Sequence, residues 1–195
     1  MKNVARCTAL LLPLLFALHA GATTYIVVLD GPKESPPNAS PGVGEASVLF
    51  DASSHTLSLS MSFSGLLGTT TASHIHCCTA VPGIGTAPVA TQTPAFAGFP
   101  LGVTSGSYSN TWDTSLPATW NSSFITAHGG TTAGAEAAFG AGLTAGDAYL
   151  NIHTTVVPGG EIRGFLVAAH VPEPAGWAML AAGIVPLLML RRRPS

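Results

Sequence analysis

Leu57, Leu59, Met61 and Phe63 alternate without a break with Ser58, Ser60, Ser62 and Ser64. That period of two predicts a strand with one face in a core and small hydroxyls on the other. Shorter apolar runs bounded by Pro, Gly and Asp predict further strands over 24–30, 44–51, 73–77, 102–112, 148–154 and 161–168. One helix is predicted, over 132–143, with Ala135, Ala138, Phe139 and Leu143 on its inner side. Gly134, Gly140 and Gly142 weaken it by about 1 kcal/mol each, so it reads as a short crossover lying on the sheet. The segment 79–100 carries Pro82, Pro88, Pro94 and Pro100 among Gly and Thr and reads as a long loop. Many short strands punctuated by turn residues, with no internal repeat, predict a mainly β, antiparallel Greek-key sandwich.

The two ends follow a different pattern. Lys2 and Arg6 precede an apolar run over 9–18 and then Ala20-Gly21-Ala22, the layout of a removable signal peptide over 1–22 with cleavage after Ala22. Cys7 leaves with it. At the other end Pro172-Glu173-Pro174 is followed by an apolar stretch, 175–190, and then by Arg191, Arg192 and Arg193. Sixteen helical residues span roughly 24 Å, short of the ~30 Å hydrocarbon core, so the stretch fits a transient membrane anchor. The arginines would hold the C-terminus in the cytoplasm and leave the domain outside.

Charge then narrows the partners. Between positions 23 and 171, eight acidic residues (Asp30, Glu34, Glu45, Asp51, Asp113, Glu136, Asp147, Glu161) face only Lys33 and Arg163, so 2 − 8 gives −6 with histidines neutral. Nucleic-acid binding needs clustered cations, and this domain has none. No Gly-x-Ser-x-Gly, His-Glu-x-x-His or phosphate-cradling glycine loop is present either, so no enzyme activity is expected.

Residues 171–195 resemble the PEP-CTERM sorting signal of Gram-negative bacteria. The resemblance implies export by the Sec machinery, recognition of Pro172-Glu173-Pro174 by an exosortase, and release to the cell surface or extracellular matrix. Over 24–169 the chain resembles the CHRD domain, found in chordin and in bacterial secreted proteins. Four segments carry this: Glu34-Ser35-Pro36-Pro37; 44–51; His74-Ile75-His76; and Tyr149-Leu150-Asn151-Ile152-His153-Thr154 leading to Gly160-Glu161-Ile162-Arg163-Gly164. That resemblance implies a β-sandwich and no established activity.

Strand periodicity places His74 and His76 on one face, where they converge on a third imidazole, His153, if its strand is a neighbour. Three nitrogen ligands suit zinc or copper. The arrangement is similar to copper-zinc superoxide dismutase, with Arg163 in that enzyme's arginine role, although no histidine-rich zinc loop is present. The competing reading makes the histidines structural, His74 and His76 donating to carbonyls and His153 bonding Glu161 or the following turn. Glu161 and Arg163 lie two apart and are expected to pair with each other or across strands, with a ligand carboxylate for Arg163 as the alternative. Cys77 and Cys78 are expected to bond to each other in an oxidising compartment, with metal ligation beside His76 or exchange with a second chain as alternatives. The leading expectation is an exported, surface-sorted, non-enzymatic module contacting extracellular polysaccharide or envelope proteins; the alternative is a copper- or zinc-binding, or superoxide-dismutase-like, domain.

Overall fold

Each predicted strand region holds a strand, except that the one expected over 161–168 divides into two, 162–165 and 167–168. In the computed structural model, which describes residues 21–169, β1 (Thr23–Asp30), β2 (Val43–Asp51) and β3 (Thr56–Ser64) run as an antiparallel meander. Then come β4 (Thr70–His76), β5 (Gly106–Asp113), β6 (Tyr149–Thr154), β7 (Ile162–Phe165) and β8 (Val167–Ala168). In β3, Leu57, Leu59, Met61 and Phe63 are buried while the intervening serines stay half-buried or exposed, as the period of two requires. The sorting tag, with Pro172, Glu173, Pro174, Arg191, Arg192 and Arg193, lies outside the described residues, as do positions 1–20 of the predicted signal peptide.

The strands make one sheet in the order β4-β6-β7-β1-β2-β3-β5, with β8 also pairing β1. This corrects the sandwich expectation. The join is short: Asp30 of β1 opposite Arg163 of β7 links the two arms, and hydrogen bonding runs on through a single curled sheet. The curl brings the inner faces together, so Leu29, Val48 and Leu59 of one arm share a core with Ile75, Leu150 and Ile152 of the other. Alternation reports which face of a strand is buried and is silent on whether two layers remain hydrogen-bonded to each other.

Among the described residues, three helical pieces stand where one helix was expected. A 3-10 turn (Pro117–Thr119) and α1 (Ser122–Ala127) are too short to show a helical period, and α1 is signalled only by its cap, Asn121 accepting from Ser123 N at 3.0 Å. α2 (Thr132–Ala145) is capped by Thr131 and ends at Gly146, whose φ of 78° suits glycine. It buries Ala135, Phe139 and Leu143, with Phe139 edge-on to Phe50 and Trp120. The glycines that weaken α2 allow its approach: a Cβ on Gly140 would come to 2.8 Å from the Phe50 ring, and one on Gly142 would collide with both cysteine sulfurs.

The long loop after β4 spans the gap between the edge strands β4 and β5. Phe96 and Phe99 pack on Tyr108, and Phe96 also on Trp112. Phe96 N donates to Ser73 O at 3.2 Å, Ala90 N to Ile75 O at 3.0 Å and Thr70 N to Val103 O at 2.8 Å, so the loop covers β4's free edge. It thereby brings the carbonyls of Ala87 and Pro94 over the histidines of β4. No helix among the described residues is long and apolar enough to cross a membrane.

Candidate metal centre

Strand register assembles the site. β6 pairs β4 directly, with Ala72 opposite His153, His74 opposite Asn151 and His76 opposite Tyr149. Ile75, Leu150 and Ile152 turn inward, so period two sends His74, His76, Tyr149, Asn151 and His153 to the other face. The three imidazoles cluster there, with ring centroids 5.7 Å (His74–His76), 5.2 Å (His74–His153) and 5.9 Å (His76–His153) apart. One ring nitrogen of each lies within 4.8 Å of the others.

Each ring is fixed by a backbone carbonyl. His74 Nε2 donates to Pro94 O at 2.6 Å, His76 Nδ1 to Ala87 O at 2.8 Å and His153 Nδ1 to Pro158 O at 2.9 Å. A carbonyl only accepts, so each of those nitrogens carries the proton of a neutral ring. What is left is a lone pair on His74 Nδ1, His76 Nε2 and His153 Nε2, and these three atoms are buried with no hydrogen-bond partner. Burial also lowers the basicity of all three rings. His76 falls to about 4, with burial outweighing its carbonyl bond and the neighbouring histidines and Arg163 adding to the drop; His74 and His153 shift the same way for the same leading reason. Neutral rings with orphaned lone pairs are costly alone and are what a metal ligand set needs. The donation to carbonyls expected of structural histidines is present, and it is also the usual way a ligating histidine is oriented.

Tyr149 stacks on His76 at 4.7 Å and 6°, and the Arg163 guanidinium sits 4.8 Å from the Tyr149 ring centre. Arg163 Nε donates to Lys33 O at 2.5 Å and Nη1 to Gly85 O at 3.0 Å, tying two loops over the tyrosine. Its acidic neighbour is Glu34, 3.8 Å away, whose carboxyl is pushed up to about 7 by burial against the pull of that guanidinium. Asn151 donates to Glu34 at 2.6 Å. Glu34, Asn151 and Tyr149 are thus part of the site's frame, which sequence spacing did not single out. Beside it a groove of 1310 Å³ runs along the outer face, lined by Ile26, Val28, Lys33, Ile84, Phe165 and Arg163 among others.

Glu161 does not pair with Arg163. Its carboxylate turns inward and accepts from Ser40 Oγ, Thr154 Oγ1, Leu67 N and Gly68 N at 2.6, 2.6, 2.6 and 3.1 Å. Burial raises its pKa, yet those four donors outweigh it and hold the group below its ordinary value. Gly164 follows because the backbones of β7 and β1 come so close that a Cβ there would collide with Val28 O. Cys77 and Cys78 are bonded to each other, packed under Gly142 and apart from the three-histidine cluster. Of the other histidines, His55 bonds Glu136 and His128 lies against Phe124, while His170 is outside the described residues.

Fold and site together define a small antiparallel β module with a clustered imidazole triad held between two adjacent strands. The chain belongs to the CHRD domain family, matching it over residues 25–166, and that membership points to a small extracellular binding module. Neither the curated proteins nor the solved structures contain a match to this chain.

Proposed function

We propose that the protein is an exported CHRD module that works by binding, with a transition-metal ion held by His74, His76 and His153 at its centre. One observation carries this reading: the three rings cluster with one nitrogen of each within 4.8 Å of the others, and each ring keeps one buried nitrogen without a partner while its opposite nitrogen is spent on a carbonyl. An all-imidazole set suits copper or zinc. No catalytic role is proposed. Arg163 directs Nε and Nη1 to backbone carbonyls, and among the described residues the cluster consists of the three histidines. The test is metal stoichiometry of the purified, chelator-stripped protein after equilibration with copper or zinc. One ion per chain is expected, with loss in His76→Ala; a folded protein that takes up neither metal would refute it.

The address belongs to the same proposal. Cleavage after Ala22 leaves Thr23, the first residue of β1, at the new N-terminus. The Sec machinery would export the chain, 175–190 would insert transiently with Arg191, Arg192 and Arg193 inside, and an exosortase would act at Pro172-Glu173-Pro174. The product would reside at the cell surface, where extracellular polysaccharide or envelope proteins are the partners and the groove beside Arg163 offers them a recess. Glu173→Ala should leave an uncleaved membrane form; normal processing of that variant would sink the sorting mechanism.

A further inference from the structure

We propose that the triad selects a monovalent ion, Cu(I), over Zn(II) and Cu(II). The inference rests on the metal-binding reading above and adds the charge and coordination number of the ion.

Charge is the first reason. The three ligands are neutral imidazoles, and no carboxylate or thiolate joins them in the cluster among the described residues. The nearby ionised side chain bearing on His76 is Arg163, a cation held through Tyr149. Glu34 does not supply the missing negative charge, because its carboxylate already faces Arg163 and Asn151. The cost of holding an ion away from water grows as the square of its charge, so a set of neutral ligands leaves more of it uncompensated for a divalent ion than for a monovalent one. A monovalent ion leaves the site at +1; a divalent one leaves it at +2 beside a guanidinium.

Coordination number is the second. Three-histidine zinc sites complete a tetrahedron with water or substrate. Here the three orphaned nitrogens are themselves buried, and no histidine of the triad lines the groove or the smaller recess by α2. A three-coordinate ion asks for nothing in the fourth place. Copper–nitrogen bonds of about 2 Å in a trigonal set put the nitrogens about 3.5 Å apart, and one nitrogen of each ring already lies within 4.8 Å of the others. The carbonyls of Ala87, Pro94 and Pro158 already fix which nitrogen each ring offers.

The experiment is competition on the full exported protein. Cu(I), kept reduced with ascorbate under nitrogen, is contested by bicinchoninate; Zn(II) and Cu(II) are each contested by a chelator of known affinity. The expected result is one Cu(I) per chain, held at least about a hundredfold more tightly than either divalent ion, the scale on which a second buried charge counts, with X-ray absorption showing three nitrogen ligands. Ala72→Asp sets a carboxylate opposite His153 on the same face and should narrow that gap by raising Zn(II) affinity. Zn(II) or Cu(II) held as tightly as Cu(I) would overturn the monovalent selection while leaving the metal site in place. No binding of any of the three ions would overturn the metal reading itself.

Discussion

Glu161 gives the sharpest test of how this fold is held, because its carboxylate is fully buried and joins three chain segments. Oε1 accepts from Ser40 Oγ and Leu67 N, and Oε2 from Thr154 Oγ1 and Gly68 N. Consider Glu161→Gln, which keeps the shape. Whichever oxygen becomes an amide NH₂, it faces a backbone N–H, Leu67 on one side or Gly68 on the other. The hydroxyls compensate only in part, since each already accepts one bond, Ser40 Oγ from Gly42 N and Thr154 Oγ1 from Val157 N, and turning to accept the new NH₂ would give up its own donation. Two charge-assisted bonds are lost at about 1.5–3 kcal/mol each, with a buried donor left unpaired, so about 3–6 kcal/mol is expected. For a domain of this size that lowers Tm by roughly 10 °C or more.

The pH dependence has a definite sign. The folded pKa of Glu161 lies below its unfolded value, so its contribution is complete above the ordinary carboxylate range (about pH 4) and is lost as pH falls through the folded pKa. Urea denaturation across that range, with wild type and Glu161→Gln side by side, should show an acid decline in the first that is reduced in the second. A variant within about 1 kcal/mol of wild type near neutrality, with an identical acid decline, would refute the clasp, because such a change belongs to exposed positions.

Two further outcomes follow from the same coordinates. Gly164→Ala should cost about 2–4 kcal/mol in urea denaturation, since its Cβ would meet the Val28 carbonyl at the β7–β1 join and only main-chain movement relieves it; an unchanged midpoint would mean the arms are less tightly joined than they look. Loading the triad should raise Tm, by about 2.7 kcal/mol of added stability at a hundredfold excess of free metal over Kd, and the increment should vanish in His153→Ala while persisting in a variant of His128, which lies outside the cluster.

The legible and illegible parts divide by the kind of signal each leaves in the chain. Alternation in β3 is local and strong, so the strand and its buried face could be read from four serines and four apolar residues. α1 spans six residues and has no second turn over which a period could repeat. Glu161 and Arg163 sit two apart, which permits a pair, yet β7 begins after Glu161 and three donors from distant loops, with Thr154 at the end of β6, claim its carboxylate. The roles of Glu34 and Asn151 depend on residues more than a hundred positions apart, a distance over which spacing says nothing.

Sequence alone determined most of the strand inventory, the acidic charge of the domain, the likeness to the CHRD family, and the placing of His74 and His76 on one face. Those properties are set by neighbours in the chain or by composition. Only the tertiary structure decided that β6 lies against β4, which puts His153 within reach, that the loop after β4 and the turn after β6 orient the three rings, and that the two arms share one sheet. Pairing partners are chosen by burial across the whole core, and no single strand carries the record of which partner it will meet.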